Sequence, residues 1–292
     1  MDKDTTVTTS VLRVRSSRRK LKPVNVVLFV FMALLAATTI YPAFFTLISS
    51  LKDQAAWSAS KFALPIPPFF EHYATAWRRA RVPRTFLNSV IVTSGGVFLC
   101  SLVCMLSSFS VTKLRYRGRN LIFIFLISSL MIPMQTILYP YFKVMSDFRL
   151  TDTYLGLILS FATFQIPIMT YQYAAYLKRV PSSIIEAAKI DGASLLQTIF
   201  LIVVPVSKPV IFTAGLVSFA WMWNEILLPI MILQSPKMQT LIVSISSLRG
   251  QYGTFPTLVC AGAFIGIFPV SIVYFFFQKQ LIQGMTAGAV KG

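Results

Sequence analysis

Nine carboxylates, one histidine and three cysteines are a sparse set of acid–base and metal-ligating groups for a 292-residue chain. The patterns such chemistry needs do not form. No G-x-x-x-x-G-K-[ST] loop cradles phosphates, His72 as the only histidine rules out an H-E-x-x-H zinc pair, and no G-x-S-x-G elbow presents a nucleophile. Cys100 and Cys104 share a helix face at i, i+4, but no histidine or carboxylate joins them. With Cys260 they read as small packing residues inside apolar runs. The chain is expected to hold no cofactor or metal, and if it moves something uphill, another subunit must supply the energy.

The elements that carry these residues follow from composition. With 55% hydrophobic residues and a mean hydropathy of +0.70, the chain has more apolar side chain than a soluble domain of this length buries. A span needs about 20 apolar residues to cross roughly 30 Å of hydrocarbon, and six windows qualify: 24–50, 87–109, 121–142, 154–177, 210–233 and 258–277. None alternates like a barrel strand, and lipid leaves backbone groups no external partner, so the windows predict helices. The fold class is an all-α integral membrane protein of six transmembrane helices.

The first window follows Arg13, Arg15, Arg18, Arg19, Lys20 and Lys22, as a secretory signal would. It is too long for a signal core of about 7 to 15 residues and lacks a convincing cleavage site, so it reads as the first span. Orientation comes from the cations. With both termini cytoplasmic, 17 of the 27 Lys and Arg residues fall on the inner side. Arg78, Arg79, Arg81 and Arg84 fall outside, in the longest loop, where translocated charge is tolerated. The net charge of +18 needs no nucleic acid, because basic flanks beside anionic inner-leaflet lipid account for it.

Residues 178–209, between the fourth and fifth windows, are too many for a plain connection. Pro181 and Ser183 suit a helix start, with Glu186 placed as in a capping box, and Gly192 suits the left-handed residue that ends it. The spacing predicts a short amphipathic helix, a turn, and a second helical run over 195–204 before Pro205. Ala187 and Ala188 leave a smooth face that a partner could approach closely. The residues alone allow equally a short interfacial helix that merely connects two spans.

The stretch "EAAKIDGASLLQTIFLIVVP" resembles the signature loop of ABC importer permeases. Glu186, Ala187, Ala188, Gly192, Ile202 and Pro205 stand in register, Asp191 precedes the glycine, and Val204 replaces a leucine. The tail "QKQLIQGMTAGAVKG", with "WNEILLP" at 223–229 and "NSVIVT" at 88–93, is similar to the carbohydrate-uptake branch of the maltose-transporter type. The resemblance implies a basic cytoplasmic segment at 1–23, a permease domain at 24–279 whose coupling helix docks an ATPase, and a cytoplasmic tail at 280–292. Through Gln283, Gly284, Gly288 and Lys291 that tail would reach the ATPase as an extended peptide.

It further implies a bacterial inner-membrane assembly: a second permease subunit, two copies of a cytoplasmic ATPase that binds ATP and Mg, an external solute-binding protein, and surrounding lipid. Sugar hydroxyls hydrogen-bond to amides and sugar rings stack on aromatics, so the candidate path residues are Gln135, Gln165, Tyr171, Gln172, Tyr173, Trp221, Trp223, Asn224 and Glu225. Pro133, Pro167, Pro229 and Pro269 interrupt spans and are candidate weak points. Alternatives are a permease for a polyamine, phosphate or glycerol phosphate, a stand-alone secondary transporter, or a membrane enzyme. No inverted repeat, acid pair or catalytic constellation favours the last two.

Overall fold

A computed structural model of the chain describes residues 23–249 and 255–289, and every regular element among them is helical. The expected basic segment lies almost wholly outside the described residues. The chain divides into two compact units, Met1–Phe44 and Phe45–Gly292. In the first, residues 23–44 form most of helix α1 (Pro23–Ser50). This stretch holds no charged residue and is apolar on all sides, a composition suited to hydrocarbon. Its polar side chains turn back on the helix, the Thr38 and Thr39 hydroxyls donating to the Leu35 carbonyl at 2.9 and 2.8 Å.

The second unit begins with the last turns of α1 and two short helices, α2 (Gln54–Ala59) and α3 (Glu71–Arg79). Asp53 caps α2 by accepting the Ala56 N–H at 2.7 Å. Lys52 is buried, and its ammonium donates to the carbonyls of Ser60 and Lys61 at 3.0 and 2.8 Å, fixing the start of the loop that leads to α3. Burial holds the His72 imidazole below its ordinary pKa, against the pull of the Lys52 backbone, Asp53 and Glu71.

Then follow α4 (Val82–Lys113), α5 (Arg119–Ser128), a 3₁₀ turn at Ser129–Met131, α6 (Met134–Asp147) and α7 (Tyr154–Leu177). After them come α8 (Ser182–Ile190), α9 (Leu195–Gln197), a π-helical stretch at Thr198–Val203, α10 (Val204–Val206), α11 (Lys208–Asn224), α12 (Leu227–Ile232), α13 (Leu241–Ser246) and α14 (Pro256–Ala289).

Among the described residues, four helices are long and apolar enough to cross a bilayer: Val24–Ser50, Val82–Lys113, Tyr154–Leu177 and Pro256–Gln280. Two bent pairs raise the number to six if each makes one span. Arg119–Met131 and Met134–Asp147 meet at 107°, and Leu195–Val206 and Lys208–Asn224 at 77°. The window expected at 121–142 as a continuous helix is therefore broken at Ile132–Pro133; the second bend lies at Ser207, ahead of the window expected at 210–233, which is itself interrupted at Glu225–Ile226. The C-terminal tail also departs from expectation. Residues 281–289 continue α14 instead of running extended, because a preceding helix propagates readily through Leu, Ile, Gln, Met and Ala, and two glycines do not stop it.

The core lies between α4 and α7. Cys100 and Cys104 are fully buried against Phe161, Met169 and Tyr173, as packing residues. Between helices, where no hydrophobic drive operates in lipid, close approach and hydrogen bonds do the joining. Ser101 bonds the Tyr173 hydroxyl at 2.6 Å, and Ser108 donates to the Thr170 carbonyl at 3.0 Å. Gly96 admits Met222 and Phe161, whose atoms lie 2.9 and 3.1 Å from where a Cβ would stand. At the other end of this pair, Asn88 donates to the carbonyls of Lys237 and Gln239 at 3.0 and 2.9 Å and accepts from the Tyr154 hydroxyl at 2.7 Å. One amide thus ties α4, α7 and the segment before α13 together.

Gly156, in the first turn of α7, has no room for a side chain: a Cβ there would run into the backbone oxygen of Leu150. Gly156→Ala must displace backbone, costing about 1 to 3 kcal/mol. Thermal unfolding in detergent should show a lowered transition, whereas an unchanged one would mean that α7 does not start against Leu150.

Candidate functional site

The bend after α5 is the point from which a site can be built. The residue before a proline is pushed out of helical geometry, and Ile132, at ψ 114°, stands before Pro133, so the chain leaves the helix there. Ser129 lies ten residues into the α5 segment, roughly 15 Å along it, which is mid-bilayer for a helix starting at the interface. Irregular backbone at that depth persists only against protein or a water-filled cavity. A cavity of ≈ 270 Å³ lies against the bend, lined by Ser129, Tyr141, Thr163, Gln165 and Trp221 among others. Gln165 is about 11 residues into α7, roughly 16 Å, and Trp221 about 13 into α11, roughly 20 Å, so three spans present these groups at similar depth.

Gln165 is buried at 7% exposure, and its Oε1 accepts from Ser218 Oγ at 3.4 Å. Its Nε2 donates to no group among the described residues. Tyr141 packs edge-on against Phe164, ring centres 5.2 Å apart, and its hydroxyl donates to Ser160 at 3.0 Å. Trp221 packs edge-on against Phe161 at 6.3 Å.

The structure brings together two of the nine candidate path residues, Gln165 and Trp221. Tyr173 is buried between α4 and α7. Trp223 is also buried, stacked on Phe219 with its indole N–H donating to the Gly266 carbonyl at 3.3 Å, so it braces α14. Neither borders the cavity: each was expected from residue type, but its side chain points into a helix contact. Gln135 and Tyr171 are exposed, Gln172 half-buried, and none of the three lines the cavity. Ser129, Tyr141 and Thr163 were missed. The only signal that bore on them was Pro133, which marks where the helix must open.

Glu225 sits at a helix end, not inside a span helix. α11 stops at Asn224, Glu225 is extended, and its Oε1 accepts the N–H groups of Ile226, Leu227 and Leu228 at 3.1, 2.7 and 3.4 Å. The carboxylate caps the free amides that open α12, which accounts for an acid at this place better than lipid contact or a distant partner. Asn224 closes on its own helix, donating to the Ala220 carbonyl at 2.8 Å. Of the four prolines, only Pro133 lies at a break; Pro167 and Pro269 sit within continuous helices, and Pro229 inside the short α12.

In the 178–209 segment, α8 ends as expected. Gly192 takes φ 79°, its N–H bonds Lys189 O at 3.1 Å, and the Ala193 N–H bonds Ala188 O at 2.9 Å, a Schellman closure. The capping box is elsewhere. α8 starts at Ser182, so Ser183 is already helical, and the reciprocal pair is Ser194 with Gln197, at 2.8 and 3.3 Å, opening α9. Ala188 is buried while Glu186, Ala187, Asp191 and Gly192 are exposed, and the run to Ile202 and Pro205 is helical with a π-helical turn. Gln283, Gly284 and Gly288 belong to α14 by backbone alone; their side chains, and Lys291 altogether, lie outside the described residues.

A span broken beside a cavity that carries a few hydroxyls and one amide suits a membrane permease. The family described as "Binding-protein-dependent transport system inner membrane component" matches residues 101–287, and the chain belongs to that family. It is similar to the melibiose/raffinose/stachyose import permease protein MelC of Bacillus subtilis (strain 168), 30% identical over 89% of this chain and 94% of that protein. It is also similar to the multiple sugar-binding transport system permease protein MsmG of Streptococcus mutans, 33% identical over 86% and 91%. In fold it matches a chain of a bacterial ABC transporter involved in the import of the acidic polysaccharide alginate, with a TM-score of 0.75 at 24% identity, covering 88% of this chain and 95% of that one.

The cap makes a prediction that separates it from other roles for Glu225. Gln keeps the acceptor oxygen, so Glu225→Gln should leave stability nearly unchanged. Glu225→Ala should lower it by about 1 kcal/mol, measured by thermal unfolding of the purified chain. Equal losses in both would show that the negative charge, not the cap, is what matters.

Proposed function

We propose that this chain is one of two permease subunits of an ATP-driven importer, forming half of the path for a sugar or oligosaccharide handed over by an external solute-binding protein. The observation that carries the reading is the open helix at Ser129–Pro133, set at membrane depth against Gln165 and Trp221. Membership of a binding-protein-dependent transport family supports the handover, and the sugar-import names of the similar permeases support the cargo.

The rest of the arrangement follows. The bent pair Arg119–Met131 and Met134–Asp147 counts as one span and α11 with α12 as another, making six, with both termini on the cytoplasmic side of a bacterial inner membrane. Segment 178–209 then faces the cytoplasm, and α8 with Glu186, Ala187, Ala188, Asp191 and Gly192 is the coupling helix that docks on an ATPase, the run through Ile202 to Pro205 joining it to α11. Two copies of that ATPase bind ATP and Mg and close and reopen. The motion reaches the path through α8, and the second permease, a different chain, supplies the other half. Domain limits of 1–23, 24–279 and 280–292 fit this plan.

Reconstituted alone in vesicles, the chain should accumulate no solute. Joined by its second permease, ATPase and binding protein, it should do so when ATP is added. Accumulation by the isolated chain without ATP would contradict the proposal.

Gly192 tests the coupling helix separately. A Cβ there meets nothing within 4 Å, so a substitution acts through the positive φ alone. Gly192→Asn, which tolerates that conformation, should keep most sugar-stimulated ATP hydrolysis. Gly192→Val, strained by about 1 to 2 kcal/mol, should lose it while still inserting. Equal activity in both variants would remove α8 from the coupling route.

A further inference from the structure

The cavity at the broken helix also bears on the charge of what passes. We infer that it accepts an uncharged, polyhydroxylated ring and rejects acidic sugars, and that Gln165 is the polar contact which enforces this; the inference rests on the carbohydrate reading above.

Three observations carry it. First, the lining is largely apolar, with three hydroxyls, one amide and aromatic rings among it, and holds no lysine, arginine, histidine or carboxylate. A carboxylate-bearing sugar at mid-bilayer depth would give up its hydration for no countercharge, and a charge there is tolerated only with a partner. The N-terminal end of α6 offers at best a partial positive charge, and the Thr136 N–H in that turn already bonds the Pro133 carbonyl at 3.1 Å.

Second, Gln165 is held at one end only. Ser218 Oγ fixes its carbonyl oxygen, and its NH₂, among the described residues, has nothing to donate to. A buried donor left facing a cavity is matched by an acceptor such as a sugar hydroxyl or ring oxygen, and an ammonium group has no acceptor to give. Polyamines are therefore as poor a match as uronates.

Third, Trp221, Phe164 and Tyr141 border the cavity with aromatic rings. An uncharged sugar ring packs against such rings. The volume of ≈ 270 Å³ falls just below the range of about 300 to 1,000 Å³ usual for a complete small-molecule site, as a half-site completed by a second permease would.

The test uses the assembled importer in vesicles with ATP inside. Uptake is measured for melibiose, raffinose and maltotriose, for mannuronate and galacturonate trimers, and for spermidine and glycerol phosphate. Wild type should accumulate a neutral saccharide and neither uronate. Gln165→Ala should cut that uptake about tenfold, the loss of one neutral hydrogen bond, while ATP hydrolysis stimulated by the binding protein persists. Gln165→Glu, of the same shape and still able to accept from Ser218, should lose uptake as well. If Gln165→Ala fails to assemble, the wild-type panel and Gln165→Glu still decide. Accumulation of a uronate trimer, or unchanged neutral uptake in both variants, would overturn the inference and leave carbohydrate import standing. Accumulation of spermidine or glycerol phosphate with no saccharide would overturn the carbohydrate reading, and this inference with it.

Discussion

A backbone amide in hydrocarbon has no water to bond, and the rest of the structure follows from that. Continuous helices satisfy most of the constraint in α4, α7 and α14, where an N–H beyond the first turn finds a carbonyl one turn back. At two departures from helix a specific side chain takes over. Glu225 collects three amides at the start of α12. Asn88 collects two carbonyls ahead of α13 and one hydroxyl of α7. The bend at Ile132–Pro133 is closed locally, the Ile132 N–H bonding the Ser129 carbonyl at 3.2 Å and the Thr136 hydroxyl donating to the Pro133 carbonyl at 2.7 Å. Leu130, Met131 and Ile132 are exposed beside it, and a cavity lies against it. A pathway is a natural use of irregular backbone beside a cavity at that depth.

The same constraint explains how the helices stay together yet can move. Lipid is as apolar as leucine, so α4 and α7 are joined by glycine-sized gaps and by hydroxyl bonds such as Ser101 to Tyr173 and Ser108 to Thr170. These contacts are short-range and directional, which favours a rigid α4–α7 pair. The cavity is bordered by the 3₁₀ turn, α6, α7 and α11, and no residue of α4 lines it. Rocking of one group against the other would open it without disturbing the seam.

Much of this was legible in the sequence. Four spans came out nearly as expected because uninterrupted apolar length is the strongest membrane signal, and the end of α8 was readable from Gly192 because few other residues take a positive φ. The breaks were less so. Pro133 announced a weak point, but whether proline bends a helix or ends it depends on what lies beside it, and Pro167 and Pro269 sit inside helices that continue. The path residues were the hardest. Tyr173 and Trp223 have the same chemistry as Tyr141 and Trp221, and only the direction of each side chain about its helix, set by partners 43 to 72 residues away in sequence, separates a brace from a cavity wall. The misplaced capping box has a similar origin: Ser183–Glu186 and Ser194–Gln197 both fit the pattern, and the helix start chose between them.

The account turns on whether the bend at Ser129–Pro133 faces water in the assembled transporter. In a chain with Cys100, Cys104 and Cys260 replaced by alanine, Ser129→Cys and Thr163→Cys can be probed with a membrane-impermeant maleimide, which reacts only where a thiolate meets water. Both positions should be modified, at rates that change when ATP is trapped on the ATPase, and a transported sugar should slow the reaction. If neither position reacts in any state while a cysteine in place of exposed Glu186 does, the bend is sealed in protein or lipid and is not the path.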